Sequence, residues 1–429
     1  MTESLRHQVR RMGGRDPHQE HRGATPLELL FDLTFVIAFG TAANELAHFL
    51  AEDHIASGVI AFSFACFAIS WAWINFSWFA SAYDTDDWIY RLSTMLQMAG
   101  VLILALGLPD LFESIEHGET VDNRVLVVGY VVMRVPMVFQ WARAARQDPG
   151  RASTSHTYIA TILLAQAGWV AQAFSDTSLT VTALWIGALL LVEMAGPALA
   201  EARKGGTPWH AHHIAERYGL LIIIALGEGM IGTMATLSAL VGPEGTGWSG
   251  DVVVLGLAGT ALTFGLWWIY FTVPCAEILR VHRERSFGWG YGHIPIFGAV
   301  VAVGAGLHVA ALNLEHHSAL GTTGTLLTVA VPLAIYTGGI FVMYAALTRS
   351  FDPFHIVLLA GTTAIVVLPV VLAYAGVSMV WCLAVLALTP WVTVVGYELR
   401  GHEHNRLVLE RMRAERAQLD GEDRPGPDQ

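Results

Sequence analysis

Charge is scarce in this chain. Of its 429 residues only 14% are Asp, Glu, Lys or Arg, while 54% are hydrophobic and the mean hydropathy is +0.50. Soluble domains carry about 25% charged residues, so an ordinary soluble fold is excluded. Positive charge is scarcer still: 24 Lys and Arg stand against 36 Asp and Glu, a net charge of −12. There is no basic domain of the kind a nucleic-acid partner requires. Cysteine is nearly absent, and Cys66, Cys275 and Cys382 each lie in an apolar run, where packing rather than disulfide or redox chemistry is expected. The first 26 residues carry Arg6, Arg10, Arg11, Arg15 and Arg22 and lack the apolar core of a cleavable signal peptide, so they read as a basic cytoplasmic tail.

What is abundant is apolar sequence in runs of about 20 residues, the length that crosses a bilayer. The runs fall at 27–50, 57–80, 92–110, 123–143, 156–174, 179–199, 214–240, 252–273, 292–313, 321–347, 353–375 and 377–397. The expected fold class is an all-α polytopic membrane protein of about twelve transmembrane helices. Polar breaks separate the runs at Glu52-Asp53, Asp84 to Asp87, Asp110 to Asp122, Gly242-Pro243-Glu244-Gly245 and Asp352-Pro353, with an uncharged break at Ala375 to Ser378. With both termini cytoplasmic, all but two of the 24 Lys and Arg fall in inner loops and tails; Arg124 lies outside and Arg134 within a span. That is the asymmetry expected at a bacterial inner membrane. Arg406 to Asp420 reads as a charged helix and Gly421 to Gln429 as disordered.

The two halves echo each other. Glu28 and Glu216 each open a long apolar run, 188 positions apart; Trp71 and Trp267 are 196 apart, Gly100 and Gly298 are 198 apart, and Glu201 and Glu398 are 197 apart. Near-constant offsets predict two parallel six-helix repeats related by an axis along the membrane normal. The expected organisation is a tail at 1–26, a first half at 27–199, a linker at 200–213, a second half at 214–397 and a charged tail at 398–429.

Ionisable groups inside spans cost at least about 2.5 kcal/mol each and therefore mark function by default. Asp32, Arg134, Glu193 and Glu228 lie nine to eleven residues from the inner basic residues, which places them in one layer about 13 to 17 Å deep. Three acids with one Arg form a candidate proton or cation pathway, and Glu28, one turn before Asp32, joins it. Glu216, Arg217, His293 and His308 are secondary candidates. Arg217 and Glu228 are too far apart along one helix to pair. His210, His212 and His213 read as a solvated loop without a zinc pattern. Asp84, Asp86 and Asp87 are a weak candidate for Mg²⁺ and diphosphate chemistry; a solvated loop with a helix N-cap is the commoner meaning of such a cluster.

Four stretches carry a family resemblance: Pro26-Leu27-Glu28-Leu29-Leu30-Phe31-Asp32-Leu33-Thr34-Phe35-Val36-Ile37-Ala38, Tyr83 to Asp87, His213-Ile214-Ala215-Glu216-Arg217-Tyr218-Gly219-Leu220 with Leu226-Gly227-Glu228, and Gly290-Tyr291-Gly292-His293-Ile294-Pro295. In this order, over about residues 20 to 400, they resemble the bacterial low temperature requirement protein A family. The resemblance implies a polytopic inner-membrane protein associated with growth at low temperature, and places Glu28, Asp32, Glu216, Arg217, Glu228 and His293 at family positions. Gly229 stands where many members have Ser.

The function expected from these residues is transport of a cation or small solute coupled to protons, with Asp32 and Glu228 as carriers and Arg134 as counter-charge. The alternatives are a Mg-dependent membrane enzyme acting on a lipid-linked diphosphate and a non-transporting scaffold or sensor. Expected partners are the lipid bilayer, an unassigned small ion or solute and further copies of the chain in a homo-oligomer. Neither nucleic acid nor a cofactor is expected.

Overall fold

The structure, a computed structural model, describes residues 9–17, 19, 22–118, 120–242, 247–350 and 352–422. Sixteen α-helices follow in order: α1 (Pro26–Ala51), α2 (Ile55–Tyr83), α3 (Trp88–Leu106), α4 (Leu108–His117), α5 (Arg124–Gln147), α6 (Ala152–Ala173), α7 (Leu179–Glu201), α8 (Ala211–Val241), α9 (Gly250–Phe271), α10 (Cys275–Val281), α11 (Ser286–Leu314), α12 (Thr322–Thr348), α13 (Pro353–Tyr374), α14 (Met379–Leu386), α15 (Thr389–Gly396) and α16 (His402–Glu422). No strand occurs among the described residues. The protein is an all-α polytopic membrane protein.

Among the described residues, eleven helical segments are long and apolar enough to cross a membrane, with α3 and α4, α9 and α10, and α14 to α16 each joined into one. The remaining expected span, α6, is 22 residues long but is diluted by His156, Gln166, Gln172 and its hydroxyl residues. It packs between α5 and α7. Two breaks differ from expectation. The acidic stretch after Asp110 is mostly helix α4, whose Leu108, Leu111 and Phe112 are buried while Asp110, Glu113 and Glu116 face outward. The last apolar run is broken between α14 and α15, where Pro390 offers no N–H to continue the ladder. The charged tail helix is α16, tied by Arg406 to Glu403 and Glu410. The expected break at Pro243 to Gly245 and all but the first two residues of the Gly421 to Gln429 stretch lie outside the described residues.

The chain divides into two compact units, Met1–Leu50 with His54–Arg217 and Ala51–Asp53 with Tyr218–Gln429. Within the first, α1 buries Phe31, Phe35, Phe39 and Ala42 on one face, and the Phe31 ring stacks on Phe76 of α2 at 3.8 Å. The opposite face is equally apolar: Leu29, Leu30, Leu33 and Ile37 are 43–57% exposed. An uncovered face lined by such large apolar side chains is what lipid solvates. The second unit is organised on α11, buried along most of its length and packed on α12.

Close helix contact in the first unit depends on missing side chains. A Cβ on Gly129 of α5 would lie 2.3 Å from the Leu104 nitrogen of α3 and 2.7 Å from the Gly100 oxygen. Small residues set such approaches in membranes, where packing rather than hydrophobic burial joins helices. Gly187 has nothing within 4 Å of the same position. Gly129→Leu should therefore cost about 1–3 kcal/mol or more of stability, read as a lower unfolding midpoint in detergent, while Gly187→Leu should leave the midpoint unchanged. Equal midpoints for the two variants would mean that α3 and α5 do not pack this closely.

Candidate functional site

The site begins with a capping box. Thr25 donates its backbone N–H to Glu28 Oε2 at 2.8 Å, and the Glu28 N–H returns to Thr25 Oγ1 at 3.3 Å, starting α1 with Pro26 in its first turn. One helical turn on, Asp32 shares the face of Glu28. The first turns of α8 supply His213 and Arg217, also four residues apart and so on one face. The two faces meet. Arg217 Nη2 donates to Asp32 Oδ1 at 2.6 Å, Arg217 Nη1 stands 3.4 Å from Glu28 Oε1, and His213 Nε2 stands 3.2 Å from the same oxygen.

Helix α2 closes the cluster. Trp73 Nε1 donates to Asp32 Oδ1 at 2.7 Å, and Ser77 Oγ accepts from Arg217 Nη2 at 3.2 Å. The Trp73 and Phe76 rings lie 5.5 and 5.8 Å from the guanidinium carbon. All four ionisable side chains are at most 1% exposed. Formally the quartet is at −1 with a neutral imidazole and at zero after gaining one proton. Asp32 Oδ2, Arg217 Nε and His213 Nδ1 are buried without a hydrogen bond among the described residues. An arrangement with unspent donors and acceptors and one uncompensated negative charge is chemically suited to taking up a proton or cation.

Arg134 and Glu193 form a separate group. Arg134 Nη2 is 3.5 Å from Glu193 Oε2, and the carboxylate also accepts from Tyr130 Oη and Trp71 Nε1, each at 2.8 Å. Arg134 donates to Tyr130 Oη as well. The counter-charge of Asp32 is thus Arg217, not Arg134. The reason lies in α2: Trp71 and Trp73 are two residues apart, about 200° around the helix, so one indole N–H serves Glu193 and the other serves Asp32.

Glu228, in the second unit, is 7% exposed and has no hydrogen bond or ion pair among the described residues. Beside it α11 comes close through Gly304, where a Cβ would lie 2.5–2.7 Å from Glu228 atoms. His293 is a satisfied core histidine, with Nδ1 2.7 Å from the Trp289 oxygen and Nε2 3.0 Å from Tyr270 Oη. His308 is half-buried on α11. Glu216 is half-buried, its carboxylate facing Gly23. His210 and His213 are buried rather than solvated. His210 Nε2 lies 2.7 Å from the Gln19 oxygen, its Nδ1 accepts the His213 N–H at 3.2 Å, and only His212 is exposed.

The aspartates at 84, 86 and 87 do not converge on one point. Asp87 caps α3 through Tyr90 N at 2.9 Å, accepts from Arg10 N at 3.0 Å and pairs with Arg143. Asp86 pairs with Arg91 at 2.8 Å, and Asp84 Oδ2 stands 3.7 Å from Arg15. Each carboxylate has its own arginine, so the weak metal reading loses its basis. Burial works against ionisation of Asp87, but Arg143 and the two backbone donors hold its carboxyl below the usual range. The described part of the N-terminal segment is thereby a packed strap. Arg22 caps the end of α2 by donating to the Ala80 and Ser81 carbonyls, and burial together with Arg15 brings its guanidinium down to about 10.

A family model for the bacterial low temperature requirement A protein (LtrA) matches residues 23–390. The chain belongs to the LtrA family. The matched region holds the whole buried quartet, the Arg134–Glu193 group and Glu228. An uncharacterized protein of Rhizobium meliloti (strain 1021) is 28% identical over 313 residues, covering 69% of this chain and 70% of that one. No solved structure matches.

Trp73, Ser77 and Tyr130 were not legible as site residues, although Trp73 and Ser77 have the i, i+4 spacing of a shared helix face. Asp84 gives a pH signature. Burial first, then Glu28, push its carboxyl up from 3.8 to about 6, so the folded state binds a proton that the unfolded state has released. Stability therefore falls as pH rises from about 4 to 6, by at most about 3 kcal/mol, and stays low above. Asp84→Asn should flatten this part of a midpoint-against-pH curve. An identical slope in the variant would assign it to other groups.

Proposed function

We propose that this LtrA-family chain is a proton-coupled carrier of a cation or small solute in the bacterial inner membrane, with both termini cytoplasmic. The observation that carries this reading is the quartet of Glu28, Asp32, His213 and Arg217, which is fully buried and one positive charge short of neutrality. A purely structural role would be served by a one-to-one pair such as Arg134 with Glu193, which leaves no surplus charge. Asp32 is the exchanging carboxylate and Arg217 its counter-charge. Glu228, a near-buried carboxylate without a partner, is a second carrier on the same helix as Arg217. Two parallel six-helix repeats are the architecture that accommodates such a path.

The Mg-dependent enzyme has no comparable support, since its aspartates are each neutralised by an arginine. The scaffold or sensor reading offers no reason to keep an unbalanced buried charge. The test is flux in proteoliposomes of the purified chain under an imposed pH gradient, followed with a proton indicator and a K⁺ indicator. Wild type should move protons, and Asp32→Asn and Glu228→Gln should each lose flux while reconstituting in equal amount. Absence of proton movement in wild type, or normal movement in both variants, removes the carrier reading.

A further inference from the structure

A second constellation, distinct from the quartet, lies within the second unit. Asp352 caps α13, and its two carboxylate oxygens have different tasks. Oδ1 accepts the N–H groups of Phe354 at 3.0 Å and His355 at 3.2 Å, closing the first turn. Oδ2 turns away from the helix and meets two imidazoles: His355 Nδ1 at 2.9 Å and His404 Nε2 of α16 at 3.1 Å. One ligand atom from each of the three residues lies within 4.8 Å of the others, and among the described residues this is the group of His, Cys, Asp and Glu side chains so arranged.

We propose that Asp352, His355 and His404 bind a divalent transition metal of the zinc class. Around a tetrahedral ion with bonds near 2.0–2.1 Å, ligand atoms stand about 3.3 Å apart; Asp352 Oδ2 already stands 2.9 and 3.1 Å from the two imidazole nitrogens, which themselves lie within 4.8 Å of each other. Two imidazoles and one carboxylate suit zinc rather than Mg²⁺, which takes oxygen ligands. The surroundings have the form of a ligand support. Tyr397 Oη lies 2.7 Å from the far nitrogen of His355, where a metal-bound imidazole donates its remaining N–H, and the Tyr344 ring stacks on the same imidazole at 4.3 Å. His404 is fixed by its neighbour Asn405, which donates to the Thr272 carbonyl at 2.9 Å and contacts Tyr344 Oη at 3.2 Å. His404 Nε2 is buried and makes no hydrogen bond among the described residues. It is a donor set completed only when α16 is docked.

Three protein ligands leave a fourth position open to water or an exogenous group. The ion would fasten the tail helix to the start of α13, so that metal supply governs how firmly α16 is held. Asp352 and His355 lie within the matched residues 23–390, and His404 lies beyond them on α16.

The experiment titrates Zn²⁺ into the chelator-treated full chain in detergent, purified without a polyhistidine tag, with a competing zinc indicator and with Mg²⁺ as comparison. One equivalent should bind tightly and Mg²⁺ should not compete. His404→Ala, at a quarter-exposed position on the tail helix, should weaken binding at least tenfold with an unchanged unfolding midpoint in the absence of metal, and Tyr397→Phe by about 10–100-fold. His402→Ala, at a neighbour 69% exposed and outside the cluster, should bind as wild type does. Co²⁺ should show the absorption of a tetrahedral site in wild type and lose it in His404→Ala. No tight equivalent in wild type, or tight binding that survives His404→Ala, overturns the proposal.

Discussion

Arg217 holds the buried carboxylates of α1 together. Its guanidinium contacts Glu28 and Asp32 of α1 and Ser77 of α2, between the rings of Trp73 and Phe76, in a site with no measurable exposure. Removing such a cation leaves two carboxylates facing each other one turn apart in a low dielectric, which neither helix propensity nor apolar packing can offset. The beginnings of α1 and α8, 185 residues apart in sequence, are joined by this contact. The strap before Pro26, with Arg22 on the α2 carbonyls and Arg15 on Asp84, packs around the same end of the helices.

The division of labour among charges follows from this. Charges on the ends of helices are matched one to one, Asp87 with Arg143 and Asp86 with Arg91, and act as caps and ties. Arg134 and Glu193 are matched within the membrane part of the unit, with Tyr130 and Trp71 completing their hydrogen bonds. The quartet, with one carboxylate more than its arginine balances, and Glu228, with no partner among the described residues, depart from this matching.

The fold was legible because a bilayer demands long apolar runs and sorts Arg by side, signals that survive without knowledge of any contact. Most helix limits fall within a few residues of the runs; the differences are α4, an amphipathic turn inside an acidic stretch, and the break before α15, where Pro390 interrupts an apolar run. The site was legible in its acids but not in its pairing. Depth along a span says which charges share a layer, not which helix faces turn toward each other. Arg217 was passed over as a counter-charge because it sits near the helix entrance, as Asp32 does not by count alone, and because the rotation of α2 between Trp71 and Trp73 is invisible without its neighbours. His355 and His404 are 49 positions apart, the second in a charged tail, so no sequence spacing joins them.

Their direct buried contact makes Asp32 and Arg217 energetically one unit. A double-mutant cycle of Asp32→Leu, Arg217→Met and the combined variant, followed by reversible unfolding in mixed micelles, measures this. Each single change should cost about 3–5 kcal/mol, and the pair should cost at least about 1.5 kcal/mol less than the sum, since the second change removes the charge stranded by the first. Costs that add within about 0.5 kcal/mol would contradict it and show the two groups to be independent.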